Sequence, residues 1–246
     1  MSEMQQEEWN QIEANIDTCD RCKSEPLLDT KTIAPARPWN PAHHGRLLFI
    51  SENPPITGGF WKTKSDDRLR QNILRLLKIP PSGNDHPATL ELFLSHRNSI
   101  GLQFFLIQTL KWPYAENLRE EKKGYNQCRH SLSMRRLIEH TVSAHLGAEI
   151  GAICPIGILA MGNAAWDACR ELSKNKSELP NGGIETVRGY PYTLHLASGS
   201  IALNVTHLPV GRNMNYPKRA REISQDFDVF LSRHNHDGTD NEMPMP

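Results

Sequence analysis

The chain has 246 residues, a formal net charge of +0 and a pI near 7.2, with 38% hydrophobic residues, 23% charged residues and a mean hydropathy of -0.55. This composition is typical of a globular protein with enough apolar residues to form a sizeable core. It excludes a protein that coats nucleic acid through its overall charge, so any DNA binding must come from a local basic patch.

The sequence gives no sign of a membrane or secreted protein. No apolar run approaches the roughly 20 residues that a membrane-spanning helix needs. The N-terminus, MSEMQQEEW, is acidic and polar, unlike a signal peptide. We therefore expect a cytoplasmic protein with no membrane partner, and we expect it to be a monomer.

Apolar periodicity predicts short strands that alternate with amphipathic helices. In chain order, the pattern predicts a helix over 5–18, a strand over 46–50, a helix over 66–78, a helix over 85–96, a strand over 102–110, a helix over 127–146, a strand over 156–161, a helix over 164–173, strands over 190–197 and 201–206, and a helix over 216–233. This alternation favours an α/β fold with a mostly parallel sheet covered on both faces. We expect a single domain over residues 1–233 and a disordered polar tail over residues 234–246.

Polar residues follow the predicted strands, at the edge where parallel sheets bind ligands. Glu52 and Asn53 follow the first strand, and Pro54-Pro55 keeps Asn53 out of helical geometry. Gln108 begins the next strand-end segment, Asn163 follows the third strand, and His207 follows the last. A hydrogen-bond donor at such a place can stabilise a leaving group that becomes negatively charged.

A basic cluster follows His207 in the sequence. It comprises Arg212, Lys218, Arg219 and Arg221, and Asn213 and Asn215 fit the cap region of the helix that follows. Cations beside a helix N-terminus form a site for phosphate, although a solvated surface is the alternative interpretation. A second basic set precedes and opens the helix predicted at 66–78, and it comprises Lys62, Lys64, Arg68 and Arg70.

Together, four strand-end segments resemble the uracil-DNA glycosylase superfamily. They are LLFISENPP, FLIQTLKWP, GILAMGNAA and THLPVGRN, and they occur in the chain order of that superfamily within residues 16–232. Glu52 stands where the iron–sulfur branch has the acid of GEAPG. Asn53 stands where the mismatch-directed branch has the water-positioning amide of GINPG, and His207 resembles the histidine of the HPS motif.

The resemblance implies a three-layer αβα sandwich with a central, mostly parallel, four-stranded sheet. It implies a DNA glycosylase that flips a base out of DNA and hydrolyses its N-glycosidic bond to leave an abasic site. The catalytic residues would be Glu52, Asn53 and His207. The implied base pocket consists of Phe60, Trp61, Gln108 and Asn163, and the implied DNA contacts come from Arg212, Asn213, Lys218 and Arg219. For Phe60 and Trp61, the alternative is a pair of core aromatic residues, and Phe60 is the favoured stacking residue.

This chain departs from the uracil-excising members of the superfamily in the residues that are expected to contact the base. Gln108 stands where those members have an asparagine that reads the uracil edge, and its extra methylene displaces the amide. Two glycines, Gly58 and Gly59, leave space beside the pocket. Both features favour a modified pyrimidine, such as a phage base, over plain uracil. An ordinary uracil-excising repair enzyme and an inactive DNA-binding module of the same fold remain alternatives. An unrelated nucleotide-binding α/β protein is less favoured, because the chain has neither GxGxxG nor GxxxxGK[ST].

Cysteines form the last predicted site. There are five, Cys19, Cys22, Cys128, Cys154 and Cys169, and without a secretion signal they argue against a disulfide framework. The resemblance implies an iron–sulfur cluster held by Cys19, Cys22 and Cys128, with Cys154 as the candidate fourth ligand because Trp112 stands at the expected position. Zinc bound by three cysteines and His130 is the alternative, and metal-free thiols are the third possibility.

Overall fold

Five strands form one sheet: Arg46–Ser51 (β1), Gln103–Gln108 (β2), Gly157–Met161 (β3), Tyr192–Leu196 (β4) and Gly199–Thr206 (β5). The structure is a computed structural model, and it describes residues 3–30, 46–54, 59–61, 67–79, 86–96, 101–121 and 123–234. The predicted tail beyond His234 lies outside these residues, and so does Gly58, one of the two glycines expected beside the pocket.

The strand order is β2-β1-β3-β5-β4. The first four strands in this order are parallel, and β4 pairs antiparallel with β5 at one edge. The α/β class and the mostly parallel sheet are therefore confirmed, but the sheet has five strands rather than the predicted four. The fifth strand is the edge member of a β4–β5 hairpin, which the four-stranded expectation left out.

Helices surround this sheet. They are Glu3–Asp17 (α1), Asp20–Lys23 (α2), Arg68–Leu76 (α3), His86–Ser95 (α4), Glu116–Glu120 (α5), Tyr125–Cys128 (α6), Leu132–Thr141 (α7), Gly147–Ile153 (α8), Asn163–Leu172 (α9), Ile184–Val187 (α10), Arg212–Asn215 (α11) and Pro217–Ser232 (α12). A π-helix, Val142–Leu146, joins α7 to α8, and a short 3-10 helix covers Gly59–Trp61. Every residue of β1, β2 and β3 is buried, as expected for parallel strands covered on both faces. No helix within the described part of the chain is long and apolar enough to cross a membrane.

The helix predicted over 127–146 differs most from the structure. It is divided among α6, α7 and the π-helix, and Leu132, expected to face inward, is 62% exposed. Ser131 ends the preceding turn by accepting a hydrogen bond from the Met134 N–H, so Leu132 lies in the first, outward turn of α7. The four other residues expected to face inward, Leu137, Ile138, Val142 and Leu146, are buried.

Aromatic packing fixes the central strand β1. The Phe49 ring lies 5.6 Å from the ring centroids of both Phe104 and Phe227, and it also contacts Phe93 and Phe230. These rings belong to β2, α4 and α12, so they hold β1 from several sides. The residues that follow β1 therefore project from a rigid element.

Candidate functional site

A cavity of about 380 Å³ lies at the carboxyl ends of β1 and β2. Four of the predicted site residues line it, namely Glu52, Asn53, Phe60 and Gln108. The parallel register explains part of this convergence, because Ser51 pairs with Gln108 at the last position of the two strands. Arg68 at the start of α3 and Leu208 after β5 also line the cavity.

Backbone hydrogen bonds extend the β1–β2 pairing beyond the sheet. The Thr109 N–H donates to the Ser51 carbonyl, and the Leu110 N–H donates to the Glu52 carbonyl, both at 2.8 Å. The segment that carries Glu52 and Asn53 is therefore held by backbone hydrogen bonds to the segment that follows β2, as the strand itself is held by β2. The Ser51 hydroxyl, which belongs to the cavity wall, is buried without a hydrogen-bond partner among the described residues.

Glu52 is held at one carboxylate oxygen. The Tyr114 hydroxyl donates to Oε1 at 2.8 Å, and the Tyr125 backbone N–H donates to the same atom at 3.2 Å. Burial raises the pKa of Glu52, while these two hydrogen bonds act in the opposite direction by stabilising the carboxylate. The carboxylate is thus fixed in orientation and is also more basic than an exposed glutamate.

Asn53 lies beside Glu52 and is partly buried in the cavity wall. Its amide donates to the Pro54 carbonyl at 3.3 Å, which is a long and weak hydrogen bond. Because this contact is weak, the amide can exchange it for a water or a sugar oxygen at small cost.

Phe60 and Trp61 have different surroundings. Phe60 lines the cavity and packs edge-to-face on Phe93 at 4.8 Å, and its carbonyl accepts a hydrogen bond from the buried guanidinium of Arg70. Trp61 packs on Phe105 at a ring distance of 5.1 Å and is 4% exposed. Both rings are buried in the core, Phe60 at 1% and Trp61 at 4% exposed, as the alternative interpretation anticipated, and only Phe60 also borders the cavity.

The β2 end is supported by a buried ion pair. Lys111 donates to the carboxylate of Glu149 in α8 and to the main-chain carbonyl of Gln108, and both charged side chains are at most 2% exposed. The amine of Lys111 is thus engaged beneath the cavity wall. Gln108 itself is 4% exposed, and it lies at the end of a strand whose backbone cannot shift freely.

Asn163 lies away from the cavity. Its side-chain oxygen accepts a 2.8 Å hydrogen bond from the Ile184 N–H, and its amide donates to Asn126 at 2.7 Å. The cap of α9 is Gly162, with φ of 90°, and Asn163 is the first residue of the helix. Asn163 therefore ties α9 to α10 and to α6, and a base-pocket contact is not among its described interactions.

His207 follows β5 but is not among the residues that line the cavity. Its ring is 2% exposed, and Nε2 lies 3.6 Å from Glu185 and 3.9 Å from Glu222 without a hydrogen-bond partner in the described part of the chain. Burial lowers the pKa of His207, and the nearby Arg219 adds to that effect. Leu208 and Val210, which follow His207 in this loop, line the cavity.

The predicted DNA-contacting residues form two pairs. Arg212 and Lys218 are exposed. Asn213 and Arg219 instead hold the loop together, because Asn213 donates to the Leu208 carbonyl at 2.8 Å while Arg219 contacts Asn213 and Glu185. Of the four predicted residues, Arg212 and Lys218 are therefore the exposed cations, and Arg221 of the same basic cluster is exposed as well.

A larger cavity of about 630 Å³ lies between α7 and α9. Arg129 and Asp167, two of its charged residues, form a two-point ion pair, and Arg129 also donates to the Gly182 carbonyl. Because Arg129 and Asp167 neutralise each other and satisfy each other's hydrogen bonds, the cavity at the strand ends is the better candidate for an active site.

The structure changes the predicted metal ligands. Sulfur and nitrogen atoms of Cys19, Cys22, His140 and His145 all lie within 4.8 Å of one another, a grouping that could hold a metal ion. Cys128 and His130 do not belong to it, and Cys154 is exposed with its thiol donating to the Gly151 carbonyl at 2.8 Å. Two histidines thus take the positions expected for Cys128 and Cys154. The spacing His140-x4-His145 does not indicate a shared site, because an unbroken α-helix would not place the two side chains on one face.

No protein-family model and no curated protein sequence matches the chain.

Proposed function

We propose that this protein is a DNA glycosylase that hydrolyses the N-glycosidic bond of a flipped base and leaves an abasic site. The observation that carries the proposal is the convergence of Glu52, Asn53, Phe60 and Gln108 on one cavity of about 380 Å³ at the ends of two adjacent parallel strands. These residues provide an acid, an amide, an aromatic ring and a second amide, which are the groups that the reaction requires.

Glu52 and Asn53 act on the sugar side of the bond. As the bond to the base lengthens, positive charge develops on the sugar ring, and the Glu52 carboxylate stabilises it. Asn53 positions a water that attacks C1′. The new C1′–oxygen bond replaces the C1′–nitrogen bond, whose electron pair leaves with the base, and the proton lost by the water passes to Glu52. Tyr114 and Tyr125 bind only Oε1 of Glu52, so Oε2 can face the reaction.

Phe60 and Gln108 act on the base. An aromatic side chain holds an extrahelical base by contact with its π-surface, and an amide reads the hydrogen-bonding edge. The volume lies within the roughly 300–1,000 Å³ typical of small-molecule sites, which leaves room for a substituent on the base. Together with the additional methylene of Gln108, this supports a modified pyrimidine as the substrate.

His207 has a different role from the catalytic one implied by the resemblance. Because its ring faces Glu185 and Glu222, we assign His207 to positioning the loop that brings Leu208 to the cavity. Arg212 and Lys218 bind phosphates next to that loop, which orients the DNA so that the target nucleotide can leave the stack.

Abasic-site formation on an oligonucleotide panel tests the proposal. The panel contains uracil, thymine, cytosine and pyrimidines with bulky 5-substituents, each in single-stranded and double-stranded DNA. We expect release of a 5-substituted pyrimidine by the native protein and release that is roughly 10²–10³-fold slower by the Asn53→Ala variant. DNA binding without release from any oligonucleotide would identify an inactive binding module, and efficient release of uracil alone would identify an ordinary repair enzyme.

The biological role requires a separate measurement. Cells that express the native protein or Asn53→Ala are challenged with phages whose DNA contains modified or unmodified pyrimidines. Protection that is limited to the modified phages and lost in Asn53→Ala supports a role in defence. Equal plating on both kinds of phage supports repair.

A further inference from the structure

Four side chains from distant parts of the chain meet at one point. Cys19 precedes α2 and Cys22 lies within it, while His140 lies in α7 and His145 lies in the π-helix. Cys19 Sγ is 3.2 Å from His140 Nε2, and Cys22 Sγ is 3.6 Å from His145 Nε2. The paired residues are separated by 121 and 123 positions in the chain, so local folding does not account for their meeting.

The π-helix explains how the two histidines share a face. In an α-helix, five residues advance the side-chain direction well past one turn, and the two side chains would diverge. Here the Gly147 N–H donates to the Val142 carbonyl, five residues back, which widens the turn and returns His145 to the side of His140. Such π-turns are rare in proteins, and many of those that do occur lie at functional sites. Two surface histidines with no common ligand would not require this departure from regular helix geometry.

The distances suit one tetrahedral ion. Zinc binds cysteine sulfur at about 2.3 Å and histidine nitrogen at about 2.0–2.1 Å, so neighbouring S and N ligands of a tetrahedral site lie about 3.6 Å apart. The two S–N distances, 3.2 and 3.6 Å, lie close to this value, and all four ligand atoms fall within 4.8 Å. A two-iron cluster would instead need its ligands divided between two metals.

The cysteine turn has the shape expected around a metal-bound thiolate. The Cys22 N–H donates to Cys19 Sγ at 3.4 Å, so a backbone dipole already points at the first sulfur. Cys22 and His145 are buried, while Cys19 and His140 are partly buried. A closed Cys2His2 set of this kind leaves no open position for substrate, which is typical of a structural rather than a catalytic zinc site.

We propose that Cys19, Cys22, His140 and His145 hold one structural zinc ion. The ion connects α2 to the α7–π-helix segment, and α1 packs against α8 and the π-helix in the same region. The segment after α2 is joined to the segment after β2, because the Asp29 N–H donates to the Pro113 carbonyl at 2.8 Å. The zinc site thus stabilises the N-terminal segment and lies behind the β2 end, independently of the reaction at the cavity.

Metal analysis of the full chain, purified without oxygen, chelator or an affinity metal, tests the site. We expect about one zinc per chain and no stoichiometric iron. The Cys19→Ser and His145→Gln variants should lose the zinc and melt at lower temperature. Cys128→Ser and Cys154→Ser serve as matched controls, because these cysteines lie outside the cluster, and both variants should keep the metal.

Cobalt substitution of the native chain gives a second readout if the ligand variants do not fold. A tetrahedral Cys2His2 site should show intense visible d–d bands and a thiolate-to-cobalt charge-transfer band, and added zinc should abolish both. Stoichiometric iron with acid-labile sulfide, zinc that is lost in Cys128→Ser but kept in Cys19→Ser, or a native chain with neither zinc nor a tetrahedral cobalt spectrum would each overturn the proposal. All these measurements are made without DNA, so they stand or fall separately from glycosylase activity.

Discussion

The Tyr114 hydroxyl donates a 2.8 Å hydrogen bond to Oε1 of Glu52, the acid that follows the central strand. Burial raises the pKa of Glu52, and the Tyr114 hydrogen bond lowers it. In the proposed reaction the active form is the carboxylate. The activity should therefore fall with decreasing pH as Glu52 becomes protonated, and the midpoint should lie above that of an ordinary glutamate, about 4.3.

Removal of the Tyr114 hydroxyl should move this acidic limb to higher pH. In Tyr114→Phe, the carboxylate loses a donor while burial remains, so protonation becomes easier and occurs at higher pH. Single-turnover rates measured across the acidic range give the midpoint for each variant. Tyr192→Phe is the matched control, because Tyr192 donates to the Val187 carbonyl away from the cavity. If the midpoint of the acidic limb is the same in Tyr114→Phe as in the native protein, then Glu52 does not control the rate.

Asn53→Ala should reduce the single-turnover rate by roughly 10²–10³-fold, the usual cost of removing one side chain that acts on the transition state. Glu52→Gln should cost a comparable factor and flatten the acidic limb. DNA affinity should be unchanged in both, because the side chains act on the sugar and water. Asn175→Ala, at an exposed asparagine that bonds Glu178, controls for the loss of an amide elsewhere.

His207→Ala should reduce the rate less than Asn53→Ala does, since the ring lies outside the cavity. Rates for His207→Ala and Leu208→Ala, measured beside Asn53→Ala, decide between positioning and direct contact with the leaving base. If the His207→Ala rate falls as far as that of Asn53→Ala, and Leu208→Ala is unaffected, then His207 contacts the base and its ring turns toward it in the complex.

Local patterns accounted for the strands and for the position of Glu52 and Asn53, the proposed catalytic pair. Glu52 and Asn53 were predictable because a run of buried residues, RLLFIS, ends just before them and parallel strands expose their carboxyl ends at one edge. Gln108 was predictable for the same reason, since it ends the neighbouring strand in register with Ser51.

Features that depend on packing between distant elements were not predictable. The direction of the His207 ring depends on α10 and α12, which place Glu185 and Glu222 beside it. The pairing of His140 with His145 depends on a single widened turn, and the periodicity of 127–146 indicated only a regular helix. The edge strand β4, by contrast, is a local feature that the pattern over 190–197 predicted, and only the four-stranded sheet implied by the resemblance left it out.

Gln108→Asn should change which base is released. The shorter side chain withdraws the amide by one methylene, to the reach of the asparagine that uracil-excising members of the resembled superfamily have at this position. We expect uracil release to increase relative to release of the 5-substituted pyrimidine, measured as a ratio of single-turnover rates. Gln103→Asn at the other end of β2 is the control. An unchanged ratio would show that Gln108 does not read the base.

Arg212 and Lys218 should determine the salt dependence of DNA binding. Each is exposed beside the loop that carries Leu208, while Arg219 is held by Glu185 and contributes less free charge. Each phosphate contact that is lost should reduce the slope of log K against log salt by about one, without a change in base preference. Equilibrium binding of an abasic-site analogue across a salt series measures these slopes for Arg212→Ala and Lys218→Ala. Lys174→Ala, an exposed lysine that follows α9, should leave the slope unchanged. Equal slopes in all three variants would place the DNA on a different surface of the protein.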